Sequence, residues 1–381
     1  MTIVIDTVAA ADLTAPLPDM DVAGRADRVR AAFAEADIEA LLVTDLSNVR
    51  YLTGFTGSAG RLLLTPGDML LVTDGRYAAQ APDQIAAHRV TAEVAVGTTL
   101  KEQDETLAAA AGSVRLGLEA ASVSWADQRR ASRPPWTAEL VPTDGLVEGP
   151  RQVKDAGEVA RLARASAIAD AALATIAPML RERRTETEVG FALDTEMRRL
   201  GAAGVSFEPI VASGPNGARP HHRPGERTIV DGDLVVIDFG ALVDGYHSDM
   251  TRTFMVGEPS ETQQRMYDVV RAAQAAGVAA VRAGVEAKEI DRTCRDLITE
   301  AGWGDAFGHG TGHGVGLVIH EDPRVSKAST AMLAPGHVVT VEPGVYLPDH
   351  GGVRIEDTVV VTDEGCSALT LAPKDPSPAP A

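Results

Sequence analysis

With 381 residues, 45% hydrophobic and 23% charged, the chain has a globular composition and the length of two domains rather than one. A net charge of −19 argues against a nucleic-acid partner, because holding phosphates needs clustered Lys and Arg. The two cysteines, Cys294 and Cys366, are too few for a disulfide framework and suit a reducing compartment, the cytoplasm. The opening MTIVIDTVAAADLTAPLPDM has no basic n-region and does not read as a signal peptide. No run of about 18 uncharged apolar residues occurs, so neither a transmembrane helix nor a membrane partner is expected.

In chain order, residues 1–20 and the tail 373–381 are expected to be loosely ordered. Apolar positions Val29, Phe33 and Ala36 predict a helix from about Gly24 to Asp37. LLVT (41–44) reads as a buried strand, and SNVRYLTGFTGSAGRLLLT as a glycine-punctuated bend before another strand. DMLLVTDGRY (68–77) and VRLGLE (114–119) are further strands, with a helix over 101–111 between them. This alternation predicts a smaller α/β unit, residues 21–148, with a mostly parallel sheet.

Residues 149–372 read differently. A long helix opens with a capping box, Asp155 with Glu158, and others open at Thr185–Glu188 and Ser260–Gln263. Gly201 ends the second of these, and a fourth helix runs from about Ala287 to Ala301, with Cys294 on its apolar side. Five strand-like stretches accompany them: DLVVIDFG, GYHSDMTRTFMV, GTGHGVGLVIH, HVVTVEPGVY and GGVRIEDTVVV. Helices grouped against an antiparallel, hairpin-rich sheet make an α+β arrangement.

Those five stretches carry Asp238, Asp249, His313, Glu342 and Glu356. Each acid alone fits an ordinary strand-end or ion-pair role. Asp238 and Asp249 flank a hairpin turn at Val243-Asp244-Gly245, where paired strands can aim both at one cation. Arg354 and Glu356, two apart among Val353, Ile355 and Val359, share one face of a buried strand. The run GHGTGHGVG (308–316) fails the G-x-G-x-x-G spacing in every frame, and HEDPR (320–324) has Arg where a second zincin histidine belongs. What remains is His309, His313 and His320 on flexed backbone, with His221 and His222 as further candidates. Four carboxylates and one imidazole form a hard, oxygen-rich ligand set suited to two divalent ions. Calcium suits the imidazole poorly, and a thiol-rich zinc site lacks its cysteines.

At IVASGPNGARPHH, IDFGALVDGYHSDMTRTF, FGHGTGHGVGLVIHE, VVTVEPGVY and GGVRIEDTVVVT the chain closely resembles the Xaa-Pro peptidases (prolidases and aminopeptidases P) of the pita-bread metallopeptidases. NVRYLTGFTGSAG and VTDGRY resemble the creatinase-like N-terminal domain of the same family. The resemblance implies that Asp238, Asp249, His313, Glu342 and Glu356 bind two divalent metals, Mn2+ first with Co2+ or Zn2+ as alternatives. Asp249 and Glu356 bridge the pair and a hydroxide attacks the carbonyl before proline. Glu342 matches the general acid/base, and His221, His309 and His320 the substrate histidines. Arg354 matches an arginine that braces the site and meets a substrate carboxylate or Asp249. Tyr246 and Thr251 are candidate supports behind the ligands. His222 beside His221 leaves open which faces the site, and Arg219 stands where a neutral residue is commoner. A short proline-containing peptide and a second copy of the chain, in a homodimer, are the implied partners. Three alternatives stand beside this: a creatinase-like amidinohydrolase, a methionine aminopeptidase and a non-catalytic pita-bread binding module. Creatinase works without the metal ligands, and methionine aminopeptidases generally lack the N-terminal domain.

Overall fold

The computed structural model describes residues 13–378 and divides into two compact units. One is Asp19–Arg151; the other runs from Gln152 onward and includes the described residues up to Pro18. The first unit holds strands β1 (Ala40–Val43), β2 (Gly60–Leu64), β3 (Met69–Thr73), β4 (Glu93–Val96), β5 (Arg115–Glu119) and β6 (Glu139–Thr143). Helices α1 (Arg25–Arg30), α2 (Leu46–Thr53), α3 (Gln80–Ala87), α4 (Leu100–Ala111), α5 (Trp125–Ala131) and α6 (Glu148–Gln152) lie between and after them.

The six strands form one sheet in the order β4-β3-β2-β1-β5-β6. Three joins are parallel, but β1–β2 and β2–β3 are antiparallel, so the sheet is mixed where a mostly parallel one was expected. The β2–β3 link is a turn closed by Thr65 N–H on Asp68 O (3.0 Å), too short for a crossover. The helix expected through Asp37 stops at Arg30, and turns continue to Asp37, whose φ is 55°. The stretch read as a bend contains a helix, α2, because the Asp45 side chain accepts from Ser47 and Asn48 N–H and Gly54 closes it at φ 74°.

The larger unit is α+β and antiparallel throughout, the pita-bread arrangement. Its helices are α7 (Ala156–Ile176), α8 (Glu186–Arg199), α9 (Glu261–Ala280) and α10 (Ala287–Glu300). Capping boxes start α7, α8 and α9 at the three expected places. The strands are β7 (Gly204–Val205), β8 (Ile210–Ser213), β9 (Leu234–Phe239), β10 (Ala241–Val243), β11 (Tyr246–His247), β12 (Met250–Met255), β13 (Gly312–Gly314), β14 (Glu321–Val325), β15 (Val338–Val341), β16 (Gly344–Leu347), β17 (Gly351–Arg354), β18 (Asp357–Val361) and β19 (Cys366–Ala368). They form sheets ordered β12-β9-β8, β11-β10-β7, β14-β13-β15-β18-β19 and β16-β17.

Two cores divide this unit. α7 and α8 bury Ala165, Ala169, Leu173 and Leu193 against Val211, Val235 and Ile237. α9 and α10 bury Met266, Val270, Ile290 and Cys294 against Val339, Val341 and Val359. The segment Ala156–Arg181 is long and apolar enough to cross a membrane by length and composition, and half of its most apolar stretch is buried inside the protein. Hydrogen bonds sew the halves together: Glu356 N–H to Thr251 O (3.1 Å), Thr253 Oγ1 to Arg354 O (2.8 Å) and Thr358 Oγ1 to Asp249 O (2.8 Å).

The described ends are not loose as expected. Arg164 donates to Leu13 O (2.6 Å) and Ala15 O (2.9 Å), while Leu13 and Leu17 pack on the first core. At the other end Met255 N–H donates to Pro376 O (2.7 Å) and Tyr267 Oη to Lys374 O (3.0 Å). The rest of that expectation, residues 1–12 and 379–381, lies outside the described residues.

Candidate active site

All five candidate ligands converge at the seam between the two halves, most of them at strand ends. Asp238 is on β9, opposite Thr251 of β12, and Asp249 immediately precedes β12 on the side of the sheet Thr251 faces. The expected turn forms, with Asp244 at φ 45° and Gly245 at φ 74°, but it tips the separate β10–β11 ribbon. The pairing of β9 with β12, not that turn, brings the two acids together.

His313 is the middle residue of β13, which runs between β14 and β15. A Cβ at Gly312 would stand 2.0 Å from Thr340 O, and one at Gly314 would stand 2.3 Å from Asp322 O. The glycine run therefore serves close backbone approach around the imidazole. The His313 Nδ1–H donates to Gly314 O (3.0 Å), which leaves the Nε2 lone pair for the site. That nitrogen is 3.5 Å from Asp249 Oδ2 and 3.4 Å from Glu342 Oε1. Glu342 follows β15, tied by its N–H to Thr311 O (2.7 Å). Glu356 sits between β17 and β18, and its Oε2 accepts from Thr251 Oγ1 (2.7 Å).

The electrostatics are severe without cations. Burial, then the Glu356, Asp238 and Glu342 charges, raise the Asp249 carboxyl well above its ordinary range. Burial and the Glu342 and Asp238 charges do the same to Glu356. Burial, opposed by Arg354 and helped by Asp238, pushes Glu342 up to about 8. Burial brings His313 down to about 3, so its imidazole is neutral. A neutral lone pair aimed at two carboxylates is repulsive unless positive charge lies between them.

The residues present fit divalent cations. Asp238 Oδ1 and Glu356 Oε1 are buried and make no hydrogen bond among the described residues. Carboxylate oxygens buried without donors are what a cation would satisfy. Asp249, His313 and Glu356 each offer one ligand atom, all within 4.8 Å of one another.

The other expected residues line the same cavity of about 520 Å³, with Phe207, Pro209, Ile210 and Ile319 as its apolar wall. The Arg354 guanidinium donates to Asp238 Oδ2 (2.6 Å) and Thr251 Oγ1 (3.1 Å). Its acidic partner within the chain is Asp238, where Asp249 was the one expected. His320 stacks edge-on against His313, ring centroids 4.4 Å apart. His309 has both nitrogens engaged, Nδ1–H to Gly310 O (2.7 Å) and Nε2 with the Tyr346 hydroxyl (2.8 Å). Arg295 fixes its backbone by donating to His309 O (2.7 Å) from an ion pair with Asp291. The adjacent histidines both line the cavity but differ in their contacts. His222 Nε2–H donates to buried Glu186 Oε2 (2.8 Å), while His221 lines the cavity without a hydrogen bond to a described residue.

Of the two expected supports, Thr251 is at the site, but Tyr246 is not: its hydroxyl donates to Glu158 Oε1 (2.9 Å). The tyrosine that matters is Tyr346, whose oxygen accepts from Arg354 Nη1 (2.8 Å). It folds back over Gly344, where a Cβ would stand 2.5 Å from the hydroxyl. The EPGVY stretch contained that glycine-tyrosine spacing, but nothing local linked it to Arg354. Lys154 with Glu321, a buried ion pair (3.1 Å) beneath the loop carrying His320, also has no local sequence signal.

A pita-bread unit that buries four carboxylates and a neutral imidazole around one cavity defines a metal-dependent hydrolase. The chain belongs to metallopeptidase family M24, whose pattern matches residues 160–363, and residues 25–153 match the Creatinase/Prolidase N-terminal domain. It is 36% identical over 338 residues to the Xaa-Pro dipeptidase of Pyrococcus horikoshii, covering 89% of this chain and 94% of that protein. The solved Xaa-Pro dipeptidase from Bacillus anthracis matches with a TM-score of 0.89 at 41% identity, covering 93% of this chain and 99% of that one. The X-Pro aminopeptidase from Thermotoga maritima matches at 0.82 and 34%, covering 91% and 99%.

Proposed function

We propose that the protein hydrolyses the Xaa-Pro bond at the N-terminus of dipeptides or short peptides, using two divalent cations held by Asp238, Asp249, His313, Glu342 and Glu356. The observation that carries the reading is the pair of buried, donor-less carboxylate oxygens, Asp238 Oδ1 and Glu356 Oε1, beside a neutral imidazole. The names of the relatives supply the Xaa-Pro bond. Oxygen-rich ligation with a single imidazole favours Mn2+, with Co2+ or Zn2+ as substitutes. The two free cysteines suit the cytoplasm, and a homodimer is part of the reading, checked by light scattering.

When bound, the cations supply an activated water and polarise the scissile carbonyl. The side chains do the rest. Glu342 is the acid most open to the cavity, its side chain 18% exposed against 14% for Asp238 and 7% for Asp249. It takes the proton that the attacking water gives up and passes it to the departing prolyl nitrogen. That nitrogen carries no hydrogen in the peptide, so it cannot leave as an amine without this proton. His221 and His320 have ring nitrogens without a hydrogen bond to a described residue and donate to the carbonyl oxygen as it gains charge. Arg354 holds Asp238, and through Tyr346 it orients His309. The apolar wall packs the proline ring.

Two measurements test this. Calorimetric titration of metal-free protein with Mn2+ should show about two ions per chain, as dinuclear hydrolases bind, and Asp249→Ala should bind less; no binding at all would remove the enzymatic reading. His221→Ala should lower kcat about 100-fold, as loss of an oxyanion donor does. His222→Ala should lower it only about threefold, because it removes one of several donors from a support. Equal effects in steady-state assays would contradict the assignment of His221.

A further inference from the structure

Glu186 is the first residue of α8, fully buried at 0% exposure, and lies outside the metal cluster. Its Oε1 accepts from Ser213 N–H (2.8 Å), Ser213 Oγ (2.7 Å) and Asn216 Nδ2 (3.0 Å). Its Oε2 accepts from His222 Nε2 (2.8 Å), Gly225 N–H (3.1 Å) and Asn216 Nδ2 (3.2 Å). Burial works to raise this carboxyl, but the donors from Asn216, Ser213 and His222 outweigh it and hold it below its ordinary range. The group is a carboxylate, and an apolar residue could fill the same space without that desolvation cost.

Every donor lies on one stretch, Ser213–Gly225, which leaves the end of β8, makes a tight turn and passes along the cavity as Pro220, His221 and His222. Both ends of the stretch are tied to the start of α8. Thr187 N–H and Oγ1 donate to Gly225 O (3.1 and 3.0 Å), and Glu186 N–H donates to Arg227 O (3.1 Å). Arg227 in turn donates to Ser213 Oγ (2.6 Å). Between these ties the Pro220–His221 step is the middle of a turn that His222 N–H closes on Arg219 O (3.1 Å), and Arg354 adds a long bond to Pro220 O (3.4 Å). His221 itself makes no hydrogen bond with a described residue, so its position is inherited from the neighbours that Glu186 grips.

We propose that Glu186 is a positioning residue for the reaction: it grips the stretch on both sides of His221, with His222 as one of its donors, and so sets His221 against the substrate carbonyl. This rests on the role proposed above for His221. Glu186→Gln keeps the shape but turns an amide N–H towards the donors of His222 and Gly225, so one side of the grip fails.

The test is a double-mutant cycle with steady-state kinetics, metal analysis and amide exchange. Glu186→Gln should lower kcat about tenfold, with KM changed less than about threefold and metal content as in the unaltered protein. In a His221→Ala background the same change should cost less than about twofold, because Glu186 acts through that histidine. A full tenfold loss in both backgrounds would overturn the proposal. Amide exchange over 213–225 should quicken by about tenfold in Glu186→Gln while β9 stays protected. Unchanged exchange over 213–225 would overturn the grip even if the protein cleaved no Xaa-Pro peptide. Inactivity of the unaltered, metal-loaded protein would instead remove the proposed function and leave the exchange result standing. Should Glu186→Gln fail to fold, Asn216→Ala removes one donor and keeps the carboxylate. Its smaller loss of kcat should also vanish in the His221→Ala background, and persistence there would count against the proposal.

Discussion

Replacing Glu342 with alanine should lower kcat on an Xaa-Pro dipeptide by about 10³-fold, the scale on which a positioned acid/base matters, while the protein stays folded. The second half of that expectation follows from charge. Without cations the Glu342 carboxyl has its pKa raised from 4.5 to about 8, by burial first and by Asp238 as well as against Arg354. A raised acid means that the folded state holds the proton more tightly than the unfolded one. Stability of the metal-free protein therefore falls as pH rises from about 4.5 towards 8. Removing the carboxylate relieves that cost, so metal-free Glu342→Ala should melt at or above the metal-free parent at neutral pH. Near-normal turnover would contradict the assigned role, and a large drop in Tm would contradict the charge argument.

Arg252→Met should produce the largest loss of stability, about 3–5 kcal/mol, as removing one partner of a buried ion pair does. Arg252 is 2% exposed. Its guanidinium donates to Asp357 Oδ1 (2.9 Å), to Ala372 O (2.6 Å), to Thr251 O (2.9 Å) and to Glu356 O. One side chain thus joins the β12 half to the β18 half and clamps the C-terminal segment behind Glu356. Asp357 is also paired with Lys374 and accepts from Gln274 Nε2 (2.9 Å). Burial works to raise Asp357, but Arg252 and Lys374 outweigh it and keep it ionised. Methionine would leave several carbonyls buried without their donor and take from Asp357 the partner that joins it to β12, leaving it Lys374 and Gln274. Urea unfolding of the metal-free proteins measures the difference; a loss below about 1 kcal/mol, the range of exposed pairs, would show that the seam does not depend on Arg252.

How much of this was legible in the sequence depended on how local each signal is. The capping boxes at Asp155, Thr185 and Ser260 are complete within four residues, and all three form as read. The five candidate ligands stood out as acids and a histidine beside apolar runs, and all five line one cavity. Helix α2 was missed because Val49, Tyr51 and Leu52 suit a strand equally well, and the decision lies with the flanking cap at Asp45 and the stop at Gly54. Side-chain pairing was the least legible. Arg354 meets Asp238 from 116 positions away, and Tyr346 rather than Tyr246 meets Arg354, because strand register, not spacing, sets those contacts. The order at residues 13–18 and 373–376 was invisible for the same reason. Their Pro-rich composition reads as loose, and the groups that hold them, Arg164, Arg161, Arg252 and Met255, lie far away in the chain.

The central claim is that hydrolysis of the Xaa-Pro bond belongs to the metal-loaded cluster at the seam. Metal-free protein should be assayed on Ala-Pro and on Ala-Pro-Ala, before and after adding Mn2+, Co2+ or Zn2+. The metal-free protein should cleave neither peptide, and added Mn2+ should bring release of proline or of Pro-Ala. Cleavage that survives complete removal of metal, or none of either peptide by protein shown to hold its metal, would contradict it.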